Sequence, residues 1–285
     1  MISNFDPFVA EWTVFANNPK FNLVEKCLKL SQILEYPNLR VEEYIQKIND
    51  IGESLKETIL TTVSEEKIQE KTPTFLISIL NQHLFDNLGF HGDEEDYYNP
   101  KNNFLNEVID RRCGLPITLS ILYLQVAKHV GLDLKIVGFP GHIIVKYDEN
   151  LIVDPFYSGR LLKMEDLQNI LDANFGGLLK FSPDFLNEIP DEKILVRITR
   201  NLKNSYTQSY DYDKAMRCVN MVLTVEPDSP EDVRDKGFLE ERLMNHQNAL
   251  TYLNRYLELS PNANDVDFVL EMIRDIRNNS NEKES

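Results

Sequence analysis

Two stretches toward the C-terminal end repeat one another at an offset of 34 residues, and that spacing constrains the fold more than any other feature. Tyr212 aligns with His246, Ala215 with Ala249, Leu223 with Leu257, Val225 with Leu259 and Pro227 with Pro261. The residue types suit a helix: a small residue for close packing, apolar residues at helical spacing, and a proline where the helix must stop. Thirty-four residues is the length of one helix–turn–helix repeat. Gly237 is placed where two helices of one unit approach closely, and Cys218 falls on an apolar face and is expected in the core.

The segments YDKAMRCVNMVLTVEP and HQNALTYLNRYLELSP therefore read as second helices of tetratricopeptide-like units. About two and a half units fit between residues 192 and 277, short of the ~3 that bury a continuous face. The array is accordingly expected to dock on the domain before it. Residues 183–191 are taken as a linker, and the tail 278–285 (NNSNEKES) is expected to be disordered.

The chain has 285 residues, room for two or so domains. It carries 46 acidic against 30 basic side chains, a net charge of −16. Such a surface argues against direct nucleic-acid binding and against docking on anionic membranes. The opening Met1–Trp12 has Asp6 and Glu11 but no basic residue, so it does not read as a signal peptide. The most apolar run, Leu115–Ala127, is interrupted by Thr118, Ser120 and Gln125 and is too short to span a bilayer. Three scattered cysteines fit a reducing cytoplasm, and no CxxC pair suggests zinc. A cytoplasmic protein without cofactor or metal is the expectation.

Residues 1–88 read as helical. Apolar stripes run through Asn22–Leu34 and Leu39–Ile59, and Thr72-Pro73 resembles an N-cap followed by a first-turn proline. Cys27 and His83 lie on these stripes and are expected to be packing residues. Residues 89–182 form the next unit. Its Asp93-Glu94-Glu95-Asp96 cluster lacks the alternating ligands and central glycine of a calcium loop, so it reads as solvated.

Asn103 is read as the N-cap of a helix over Phe104–Arg112, halted at Cys113-Gly114. A second helix starts at Pro116 and runs to about Val130. Arg111-Arg112 suit the last turn of the first helix by its dipole. The period then changes to that of strands: 134–137, 142–147 and 151–155, with a turn at Asp148–Asn150. That turn brings His142 and Asp154 onto neighbouring strands at close range. Cysteine, then histidine, then aspartate is the chain order of a thiol nucleophile, its base and the carboxylate that orients the base.

The stretches DYYNPKNNFLNEVIDRRCGLPITLSILYLQVAKHVGL, VGFPGHIIVKY and LIVDPFYSGRLL closely resemble the SirB-type transglutaminase-like family. Members join a transglutaminase-like core to C-terminal tetratricopeptide repeats and are often labelled regulators of sirC transcription. The resemblance implies an α+β, mostly α fold: N-terminal helices, a papain-like helix with a small antiparallel sheet, and helical repeats. It also implies a nucleophile at the start of the helix, and here that position falls on Pro116. His142 and Asp154 match the other two positions. Cys113 lies three residues upstream, as a displaced nucleophile or a spectator thiol, and Thr118 is a weaker substitute. Asn103, Asn106 and Glu107 match the motif as polar bracing.

Besides a purely structural scaffold, in which His142 and Asp154 are a leftover hydrogen-bonded pair, two functions remain open at this point. One is a non-catalytic transglutaminase-like protein that acts as a regulatory or interaction factor and binds a protein or peptide through its repeats. The alternative is a cysteine acyl-transfer enzyme, a peptidase or amidase, in which Cys113 attacks, His142 moves the proton and Asp154 orients the imidazole.

Overall fold

The computed structural model describes residues 7–62 and 72–284, with side chains as far as 278. Met1–Asp6, part of the opening read above, lies outside the described residues. Two compact units emerge: Met1–Asn18 with Leu195–Ser285, and Pro19–Ile194. The fold is α+β and mostly α.

The first helix, α1 (Pro7–Phe15), belongs to the repeat unit rather than to an N-terminal helical region of residues 1–88. Trp12 is fully buried, and its Nε1 donates to Met221 O and Thr224 Oγ1, both at 3.1 Å. An indole needs a partner for its N–H when buried, and this helix end supplies two. The repeats consist of α8 (Asp191–Gln208), α9 (Tyr212–Val225), α10 (Pro230–Arg242), α11 (His246–Leu259) and α12 (Val266–Glu284). The first and last residues of α9 and α11 are each 34 apart, as the sequence offset predicts. A Cβ on Gly237 would come within 2.6 Å of Leu253, so this glycine lets α10 lie close on α11. The backbone of α12 continues to Glu284, past the start of the tail expected to be disordered, since no glycine or proline stops it there.

The other unit opens with α2 (Leu23–Leu34), α3 (Val41–Thr62) and α4 (Pro73–Asn81). Asn22 accepts from Glu25 N at 3.0 Å while the Glu25 carboxylate accepts from Asn22 N at 2.8 Å, a reciprocal cap. Thr72 caps α4 through Phe75 N. A two-residue parallel ribbon pairs β1 (His91–Gly92) with β2 (Cys113–Gly114), on either side of α5 (Leu105–Arg111). The long buried helix α6 (Pro116–Lys128) then leads into an antiparallel sheet: β3 (Lys135–Val137), β4 (Ile144–Lys146), β5 (Ile152–Asp154) and β6 (Arg160–Leu162), in sequence order. Helix α7 (Met164–Phe175) covers one sheet face with Leu167 and Leu171.

Three sequence expectations need correcting here. Asn103 ends a 3-10 turn, Pro100–Asn103, and does not cap α5; Phe104 occupies the cap position without a side-chain bond. Cys113-Gly114 is a short strand rather than only a helix stop. Residues 183–191 are no free linker: Leu186 is buried in the sheet core, Glu188 bridges Val137, and Ile189 N donates to Ile136 O.

Candidate functional site

The hairpin between β4 and β5 sets the geometry. Val145 pairs with Val153 and Lys146 with Ile152, a register that places Asp154 opposite residue 144, two positions from His142. His142 itself precedes β4, in a turn where its N–H donates to Phe139 O at 2.9 Å. Its Nε2 meets Asp154 Oδ2 at 2.7 Å. Asp154 is almost wholly buried, and its other oxygen accepts from Phe156 N at 3.1 Å. The carboxylate thus has both oxygens engaged and fixes the imidazole in one orientation.

Cys113 has a different neighbour. Asp93 N donates to Gly114 O at 3.1 Å, which sets the Asp93 carboxylate near the thiol; its Oδ1 accepts from Asp96 N and its Oδ2 from Asn102 Nδ2, each at 2.9 Å. Arg111 stands 3.5 Å from the same carboxylate and donates to Asn102 Oδ1 at 2.9 Å. Burial pushes the Cys113 thiol up to about 11, the charge of Asp93 adds to the rise, and Arg111 offsets only part of it. For Asp93, burial works toward a higher pKa, but its donors outweigh that and hold it below the usual carboxylate range. A thiol at about 11 is ionised to roughly one part in ten thousand at neutral pH, far from an activated nucleophile.

Pro116 is the first residue of α6 and brings no nucleophile to that helix mouth. Thr118 cannot substitute cheaply. Its hydroxyl accepts from Leu115 N at 3.0 Å and donates to Asn102 O at 2.8 Å, tying the helix start to the preceding loop. Gly92 connects the ribbon to the His142 neighbourhood, for a Cβ there would fall 2.6 Å from the Phe156 ring. The structure therefore brings His142 and Asp154 together and sets Cys113 beside the charge of Asp93.

Sequence reasoning missed Asp93, which was assigned to a solvated loop yet is buried, and Asn102, which does the bracing expected of Asn103. Both polar atoms of the Asn103 side chain are buried and lack a hydrogen-bond partner. It also missed the rings. Phe156 and Tyr157 lie 6.4 and 6.3 Å from the imidazole, and Tyr97 lies 6.0 Å from Phe156. A cleft of about 280 Å³ opens beside Asp154, Tyr157 and Arg160. Within the repeats, a groove of about 340 Å³ is lined by Lys203, Asn204, Tyr212, Phe238, Phe268 and Met272.

This architecture, a papain-like helix and sheet with a histidine–aspartate pair and then helical repeats, defines a class. Residues 42–200 match the transglutaminase-like superfamily, and residues 202–274 match the tetratricopeptide repeat. A Xylella fastidiosa protein named UPF0162 protein is 35% identical over 253 residues, covering 86% of each chain. A Vibrio cholerae protein of the same name is 29% identical, covering 84% of this chain and 87% of that one. Human F-box only protein 21 is 28% identical over 138 residues, 45% of this chain and 21% of that protein. The chain belongs to the transglutaminase-like superfamily, in its SirB-type form with C-terminal tetratricopeptide repeats. Such repeats mediate protein–protein interaction, and no described helix is long and apolar enough to cross a membrane.

Proposed function

We propose that this is a non-catalytic transglutaminase-like protein that works in the cytoplasm by binding, its repeats recruiting a protein or peptide partner. The observation that carries the reading is the setting of Cys113, a buried thiol beside the Asp93 carboxylate. Burial first, and that negative charge next, disfavour the thiolate, where a nucleophile needs a base or a positive charge. Pro116 at the first position of α6 supports the same reading. The groove between α8, α10 and α12 offers the surface for the partner, with aromatic and charged walls.

A second reading keeps the enzyme. His142 and Asp154 retain the geometry of a base and its orienting carboxylate, and Cys113 is the sulfur it would need. Gene replacement separates the two. A Cys113→Ala chain that restores the proteome of a deletion strain as fully as the native chain supports binding. A folded Cys113→Ala chain that fails to restore it overturns that reading.

A further inference from the structure

Aromatic rings crowd the exposed side of the His142–Asp154 pair. Tyr97 and Tyr98 pack edge to face at 5.5 Å, Tyr97 reaches Phe156 at 6.0 Å, and Phe156 meets Tyr157 at 5.1 Å. Tyr98 is 59% exposed and Tyr157 51%. Exposed rings gathered in one place from distant parts of a chain mark an interaction surface rather than stray apolar residues.

Elsewhere this protein covers its rings with its own cations. Lys47 stands 4.2 Å from the Tyr44 ring centre and Lys236 the same distance from Tyr252. Among the described residues no cation lies over Tyr98 or Tyr157. Arg160 is committed to Asp166, and Arg111 to Asn102 and Asp93. Glu94 and Glu95, exposed on the loop that leads into Tyr97, have no basic partner among the described residues. Burial and the charges of Glu94 and Asp154 raise the Tyr157 phenol, which places negative potential at the rim.

We propose that the rim formed by Tyr98, Tyr157 and the Glu94–Glu95 loop is a docking site for an arginine-bearing peptide segment. A guanidinium is planar and stacks on tyrosine faces while its N–H groups reach carboxylates, so it satisfies rings and acids together. The ammonium of lysine is more strongly hydrated and gains less from the rings. The inference adds a binding surface on the transglutaminase-like unit to the one proposed on the repeats, and it does not depend on the state of Cys113.

The test is an anisotropy titration of the full chain with a labelled peptide of Gly-Gly-Arg units, against the same peptide with neutral citrulline. The arginine peptide is expected to bind at least ~10-fold tighter than the citrulline peptide. Tyr98→Ala and Tyr157→Ala should each weaken it about 5-fold, the worth of one partly desolvated cation–π contact. Both side chains are half exposed, so thermal melting should show the variants folded. Equal binding of the two peptides overturns the proposal. So does unchanged affinity in the Tyr98→Ala/Tyr157→Ala double variant, which would assign the attraction to net charge alone. A reactive Cys113 would overturn the non-catalytic reading and leave these titrations as they are.

Discussion

His142 Nε2 stands 2.7 Å from Asp154 Oδ2, a catalytic-style pair preserved in a chain whose helix mouth carries Pro116. The pair has a structural use of its own. Asp154 also accepts from Phe156 N, so it fixes both the turn that holds the aromatic rim and the imbedded face of His142.

Replacing Asp154 with Ala should therefore destabilise the fold, whatever the chemistry. It would strand the Phe156 amide and an imidazole nitrogen in a buried place, a cost of about 1–3 kcal/mol. Denaturant unfolding measures it. A variant as stable as the native chain would show the pair to be dispensable to structure.

Gly159 is the second sensitive position. Its φ is +72°, and a Cβ would sit 2.0 Å from Asn81 Oδ1. Asn81 is already committed, donating to Gly159 O and accepting from the buried Tyr123 hydroxyl, both at 2.7 Å. Gly159→Ala should cost about 1–3 kcal/mol from backbone strain, with displacement of Asn81 on top. Differential scanning calorimetry should show a lower melting temperature.

Trp12 ties α1 to α9 across more than 200 residues of sequence. Trp12→Ala should cost about 3–5 kcal/mol, felt in the repeat unit. Hydrogen exchange should show faster opening of α9 in the variant, with the antiparallel sheet unchanged.

Acid should weaken the repeats in a defined window. Asp232 is fully buried, and burial alone would raise its pKa. The hydrogen bond from Arg200, the charge of Lys203 and the Ser229 hydroxyl outweigh that and lower it. A carboxylate lowered in the folded state stabilises the fold above its unfolded value of about 4, and that contribution is lost as pH falls through the folded value. Melting of the repeats should drop steeply below about pH 4. Asp232→Asn should lower neutral stability by about 1–3 kcal/mol, less than for an isolated pair because Arg200 keeps Glu226 and Lys203 keeps Asp235, and should flatten the acid dependence.

What was legible in the sequence was local or periodic. The 34-residue offset announced α9 and α11 because each position repeats its own helical environment, and the Asp148–Asn150 turn announced the register that joins His142 to Asp154. The α1–α9 contact could not be read, since nothing in Pro7–Phe15 names a partner 209 residues away. The ribbon that carries Cys113 is two residues per strand, too short to show a period. Asp93 sits in a run of four acids that looks solvated as a whole, while this one of them turns inward to Asn102. The aromatic rim joins residues 97–98 to 156–157, and only the folded chain brings them together.

The non-catalytic reading turns on Cys113, and the alkylation rate of that residue as a function of pH decides it. Iodoacetamide labelling of the full chain is read on the Cys113 peptide, beside His142→Ala. A non-catalytic Cys113 labels negligibly near neutrality, labels about tenfold faster per pH unit toward about pH 11, and shows the same profile in His142→Ala. Rapid labelling that is flat across neutral pH, and lost in His142→Ala, would contradict it and restore the cysteine enzyme.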